Sequence, residues 1–206
     1  MSISQNDTKH RIMHEALRLF SLKGYDGVTV SDIAESVGIK APSLYKHYRS
    51  KKEIFQSIID EAESRFREFI DSIKLPEDLS SAVITPDVLA GKLRSFASYS
   101  LHDEEFSMLR RLLMIEQFRD SDIASLYSSF LVDSMYDYHT ALFRRLMDAG
   151  MIRDEDPRTL AVMYGSPVMV MIEECERHPE KEEESMRILS EHASLFYRTF
   201  SVKEDI

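Results

Sequence analysis

The stretch from Thr29 to Tyr48 constrains the fold more than any other part of the chain. Thr29 stands three residues before Asp32, so its hydroxyl is placed to accept a backbone N–H in a capping-box start, with Asp in place of the usual Glu. Ile33, Ala34 and Val37 then share one helical face. Gly38 follows where a helix can end in left-handed backbone, and Ile39 supplies the hydrophobic contact behind it. Pro42 suits the first turn of another helix, where its missing N–H is no loss, and Leu44 and Tyr48 are spaced to face the same core. Upstream, Ile12, Ala16, Leu19 and Phe20 recur at helical spacing and stop before Gly24. Two short helices about a glycine turn, preceded by a third, make a helix-turn-helix.

Charge separates this head from the rest. Residues 1–52 carry six Lys and three Arg against five acids, a surplus of four positive charges, whereas the whole 206-residue chain has a formal charge of −10. A basic head on an acidic body directs a polyanion to one end and repels it from the other. With 43% hydrophobic and 30% charged residues, and six glycines and six prolines, the composition is that of a soluble globular protein. The lone Cys175 has no intrachain partner and the first twenty residues lack a secretory pattern, so a reducing cytoplasm is the expected location. The charge-free run Leu160–Ile172 is shorter than the roughly 20 residues that span a bilayer, so no membrane is expected.

The head resembles the TetR family of transcriptional regulators. The resemblance rests on Thr29-Val30-Ser31-Asp32-Ile33-Ala34, Val37-Gly38-Ile39, Ser43-Leu44-Tyr45-Lys46-His47-Tyr48 and Lys51-Lys52-Glu53, in that order and spacing. The chain departs from many members at Lys40, where a small hydroxyl residue is common, and at Ala41 and Pro42, where Gly or Lys is common; these positions bear on which DNA sequence is preferred. A recognition helix enters the major groove by its N-terminal residues, which here are Lys40, Ala41, Pro42 and Ser43. Lys40 is suited to guanine O6 and N7, and Ala41 and Pro42 to a thymine methyl. The resemblance implies phosphate contacts by Tyr45 and His47, with Lys46 beside them. Thr29 and Lys51, each near a helix start, are placed to anchor phosphate oxygens. Taken singly, Thr29 also reads as a plain cap, Tyr45 as a packing residue and His47 as a surface histidine.

Beyond the head, helical periodicity continues without a strand pattern. Helices are predicted over 53–74, 87–101, 104–119, 122–149, 157–177 and 181–200, with a loop from Pro76 to Pro86. The expectation is an all-α chain of about nine helices, divided into a helix-turn-helix domain at 1–52 and a helical effector-binding and dimerisation domain at 53–206. The penultimate helix is apolar nearly all round and needs cover on more than one side, either from its own domain alone or from a second subunit. A homodimer through the last two helices is the arrangement that the resemblance implies, and it would bring two recognition helices to one palindrome.

In the family the corresponding helices enclose an effector pocket. Phe96, Tyr99, Met114, Tyr127, Phe130, Tyr138, Met163 and Tyr164 are candidates to line one for an unidentified small molecule, because Met adapts its shape and Tyr adds a polar tip; each also reads as plain core. Pro167 should kink its helix and widen a cavity. Cys175 with His178, and His10 with His14, have metal-like spacing without further ligands, so no metal or other cofactor is expected. No Gly-rich phosphate loop or nucleophile elbow points to an enzyme. The expected function is a DNA-binding repressor released from a palindromic operator by an effector; the alternative is a helical protein-interaction module whose head no longer binds DNA.

Overall fold

The computed structural model describes residues 5–76, 78–79 and 83–202. Among them the chain is helical almost throughout: α1 Gln5–Lys23, α2 Val30–Val37, α3 Ala41–Leu44, α4 Lys51–Ile73, α5 Pro86–His102, α6 Glu104–Glu116, α7 Ser121–Tyr127, α8 Ser134–Asp148, α9 Pro157–Arg177 and α10 Glu182–Phe200. The all-α expectation holds. The helix predicted over 122–149 is present as α7 and α8 joined by a π-helical stretch, Ser128–Asp133, so the two form one rod and the rods number nine among the described residues. Periodicity of apolar residues does not distinguish a π turn from an α turn over so short a span. α9 runs through Pro167 without a break in its helical assignment. The one β feature among the described residues is an isolated antiparallel bridge between Ile152 and Ser201.

Capping explains several boundaries. The Thr85 hydroxyl accepts from Val88 N–H at 3.3 Å, with Pro86 opening α5. Asp120 accepts from Asp122 and Ile123 N–H before α7, and Asp156 accepts from Thr159 N–H at 2.7 Å before α9, where Pro157 takes the first helical position. Each satisfies amides that have no partner inside the helix.

The chain forms two compact units, residues 1–70 with 104–130, and 71–103 with 131–206. In the first, α1, α2 and α3 bury Ile12, Ala16, Phe20, Ile33, Val37 and Leu44, and α4 adds Ile54 and Ile58. Further along α4, Phe66 stacks on Phe106 of α6 at 5.4 Å between ring centroids and meets Phe130 edge-on at 5.4 Å. In the second unit α10 packs on α5, and α9 on α8 and α5. Tyr164 of α9 is fully buried there: its ring meets Phe143 and Phe196, and its hydroxyl donates to the Leu89 carbonyl at 2.7 Å. No helix among the described residues is long and apolar enough to cross a membrane.

His139, on α8, is buried between Tyr138, Phe143 and Tyr164. Burial pulls its pKa down to about 4; the Met135 carbonyl one turn earlier opposes the shift without completing a hydrogen bond to Nδ1, and the Lys92 charge adds to it. The ring is therefore neutral in the folded state between pH 4 and 6.5, while an unfolded chain takes up a proton below about pH 6.5. Stability contributed by the neutral ring is present above the unfolded pKa and is lost as pH falls toward 4, by up to about 3 kcal/mol. His139→Leu should flatten the fall in unfolding free energy between pH 6.5 and 4 relative to the parent, as read from urea midpoints at each pH. Parallel curves for the two proteins would contradict this account.

Candidate nucleic-acid interface

The helix-turn-helix forms as its local chemistry dictates. At the start of α2 the capping box is complete: Thr29 Oγ1 accepts from Asp32 N–H at 3.1 Å, and the Asp32 carboxylate accepts from Thr29 N–H at 2.7 Å. These bonds, led by that from the Thr29 hydroxyl, hold the Asp32 pKa below the usual carboxylate range. At the other end Gly38 adopts φ +77°, and Ile39 N–H reaches back to the Ala34 carbonyl at 2.9 Å. This is the Schellman arrangement, which lets α2 end and the chain reverse. α1 is tied to α2 by Arg11, which donates to the Val37 carbonyl at 2.9 Å, and by Glu15, which with Arg18 meets the Ser36 hydroxyl. The Ser36 bond is the main cause of a lowered Glu15 pKa.

α3 is short. Its α-helical part ends at Leu44, and Lys46 and His47 donate to carbonyls three residues back, Ser43 and Leu44, so the recognition segment tightens in its second half. Leu44 and Tyr48 anchor it, both buried, as their spacing predicts. Lys40, Pro42, Tyr45 and Lys46 are exposed; Ala41, Ser43 and His47 are half-buried; Thr29 is exposed beside its cap. Tyr45 keeps 53% of its surface open to solvent, and so does not serve as packing.

Lys51 begins α4 but its ammonium is engaged. It donates to the Tyr25 and Val28 carbonyls, each at 2.9 Å, and lies 4.2 Å from the centre of the Tyr25 ring. The lysine therefore holds the α1–α2 turn. On the same turn, buried Glu116 of α6 accepts from Tyr25 N–H at 3.3 Å. Sequence reasoning missed Glu116, because a single Glu at a helix end carries no signal of burial. Just before α4, the Ser50 hydroxyl accepts from Glu53 N–H, and the Glu53 carboxylate accepts from Arg49 N–H at 2.6 Å.

The eight effector candidates are divided between the two units. Met114, Tyr127 and Phe130 belong to the first unit, where Phe130 packs against Phe66 and Phe106. Phe96, Tyr99, Tyr138 and Tyr164 belong to the second; Tyr138 and Tyr164 both pack against His139. Met163 is half exposed on α9. A small apolar cavity of about 160 Å³ in the second unit is lined instead by residues such as Ile84, Leu146, Met151 and Tyr197. Cys175 is buried whereas His178 is exposed and paired with Glu180, and no cluster among the described residues is arranged to hold a metal ion.

A capped helix, a left-handed glycine turn and an exposed basic helix start, set on an otherwise helical chain, define a helix-turn-helix protein. Residues 12–58 match the bacterial regulatory proteins of the tetR family. The head of the chain is thus similar to the DNA-binding part of that family. Over 62 residues, 30% of the chain, it is 45% identical to the biofilm operon icaADBC HTH-type negative transcriptional regulator IcaR of Staphylococcus epidermidis, and the match spans 34% of that relative's own length. A protein of Mesorhizobium loti described as a TetR-family transcriptional regulator shares the fold with a TM-score of 0.76 at 23% identity, over 96% of this chain and 98% of that one. The flavonoid-responsive regulator FrrA shares it with a TM-score of 0.68 at 18% identity, over 97% and 100% of the two chains.

Gly38 offers a clean check on the turn. A Cβ there would meet nothing within 4 Å, so the cost of substitution is conformational alone. Gly38→Ala should destabilise the protein by roughly 1 to 2 kcal/mol and Gly38→Asn by less, because Asn tolerates left-handed backbone. Equal unfolding midpoints for the glycine and alanine proteins would refute the turn geometry.

Proposed function

We propose that the protein is a homodimeric transcriptional repressor that binds a palindromic DNA operator through Lys40–His47 and leaves it when a small molecule occupies the second unit. The observation that carries this reading is the exposed, uncompensated basic start of α3. Lys40 and Lys46 are exposed and have no acidic partner among the described residues, while Leu44 and Tyr48 fix the segment from behind. In this reading Lys40, Ala41, Pro42 and Ser43 meet base edges, and Tyr45, Lys46, His47 and Thr29 meet the backbone. Lys51 adds its charge nearby while it holds the turn. Repression is favoured because a relative that the head matches, IcaR of Staphylococcus epidermidis, is a negative transcriptional regulator. Responsiveness to a small molecule is favoured by a fold shared with a flavonoid-responsive regulator. The protein acts in this reading by binding, not by catalysis.

Two paired copies are required for a palindrome, and the last two helices have the surface for it. Met163 and Val170 of α9 lie seven residues apart on one face and are 50% and 66% exposed; Ile188 and Leu195 of α10 repeat that spacing at 37% and 58%. Apolar side chains in such rows on adjacent helices are suited to a four-helix interface. Met163 fits this surface better than a pocket wall.

Three measurements test the reading. Gel shifts on the DNA upstream of the protein's own gene should be sequence-preferring and weaken steeply with salt; no shift at low salt would leave only the interaction module. Lys46→Ala should weaken binding to all sequences alike and reduce the salt slope by about 1, whereas Lys40→Ala should relax discrimination at one base pair by roughly 1 to 3 kcal/mol. Leu195→Glu should yield monomers in sedimentation and lose operator binding. An operator-competent monomer would overturn the paired arrangement.

A further inference from the structure

The second unit holds a buried positive charge with no acid to balance it among the described residues. Lys92 of α5 is 8% exposed, and among the described residues its ammonium has one partner, the Ile73 carbonyl at the end of α4. The Tyr138 hydroxyl donates to that same carbonyl at 3.3 Å. Next to Tyr138, His139 is 5% exposed and its Nδ1 has no hydrogen-bond partner. Nδ1 would lie 3.1 Å from a Cβ at Gly165, so α9 presents bare backbone to it. Around the imidazole stand Tyr164, Phe143 and Met135, which supply apolar walls.

Burial lowers the Lys92 pKa, and the Lys92 charge adds to burial in lowering that of His139. A lone carbonyl is a weak counterpart for a buried ammonium. Removing a cation from water is offset fully only by an anion with good hydrogen bonds. An ammonium, a phenol and an imidazole converging on an apolar interior lack one component, a negatively charged oxygen.

We infer that the second unit binds a small apolar carboxylate, whose oxygens take Lys92 from the Ile73 carbonyl and accept a hydrogen bond from the His139 imidazole. This rests on the reading of the second unit as the effector-binding part. An occupied site leaves the Ile73 carbonyl to Tyr138 alone and frees the end of α4, the helix that starts beside the recognition segment. Differential affinity for the two conditions of α4 is what an effector needs in order to act.

The test uses the full-length protein and matched probe pairs, 1-naphthoate with 1-naphthamide and decanoate with decanamide, measured by titration calorimetry. The expected result is that at least one carboxylate binds ten times or more tightly than its amide twin, since a charge-assisted bond to a buried ammonium is worth about that much. Lys92→Met should erase the difference; should that variant fail to fold by circular dichroism, Lys92→Gln takes its place. The inference is overturned if no carboxylate outbinds its amide in the parent protein, or if the preference survives loss of Lys92. Operator binding by the unliganded parent is measured in parallel. Retained DNA binding with no carboxylate preference defeats this inference alone, and a carboxylate preference without DNA binding defeats the repressor reading alone.

Discussion

A head of one long and two short helices has little apolar surface to bury by itself, and the way this chain makes up that shortage governs the rest of its architecture. Domains much below about 60 residues are marginal because too much of their surface stays wet. Here α4 completes the head core with Ile54 and Ile58, and then continues to Phe66, which stacks on Phe106 of α6. The recognition segment is therefore positioned by helices outside the motif. The α1–α2 turn is held from two sides by α4 and α6: Lys51 takes the Tyr25 and Val28 carbonyls, and Glu116 takes the Tyr25 amide. A shift in either helix has a polar as well as an apolar route to the head.

The polar route is short and directional. Buried or part-buried hydrogen bonds to charged groups lose more when broken than neutral ones, so the Lys51 and Glu116 contacts specify the geometry of the turn more sharply than the surrounding apolar packing does. Gly24, at φ +75°, explains why the carboxylate can come so near: a side chain there would collide with Glu116 Oε1. Such a contact works only with glycine at that place. In contrast, His10 and His14 approach the Glu105 and Glu104 carboxylates only to 3.9 Å, each with one partner exposed, and such surface contacts add little to stability.

Legibility in the sequence followed the range over which each physical cause acts. Caps and turns depend on residues two to five apart, so Thr29 with Asp32, Gly38 with Ile39, and Asp156 with Pro157 announced the helix boundaries of the motif and of α9. The apolar faces of α1, α2 and α10 were legible for the same reason, since period alone sets them. What periodicity could not show were the π turn at Ser128–Asp133 and the shortness of α3, which depend on hydrogen-bond register. Long-range polar pairings were invisible. Lys51, read as a phosphate ligand from its place near a helix start, has its ammonium on carbonyls 23 and 26 residues away. Lys92 is one of many lysines in the sequence, and only the fold shows that it is buried. The aromatic and Met residues of the body were legible as apolar, but composition does not say which unit a side chain joins.

α4 is the element in which these constraints meet. Its first half is committed to the head core, and its last carbonyl, Ile73, is held by Lys92 and Tyr138. The C-terminus of a helix carries a partial negative charge, which makes an ammonium a fitting partner there, yet that charge is only about half of an elementary unit. A full anion competes for the same ammonium on better terms. In the proposed reading the Ile73 contact is the one exchanged, and a coupling of about 1 to 3 kcal/mol would change operator affinity by one or two orders of magnitude. An apolar replacement of Lys92 would be expected to pack comfortably in the same space, since buried charges are often exchanged for hydrophobic residues without loss of stability. Retaining a lysine there makes physical sense when the charge has a use that packing does not supply.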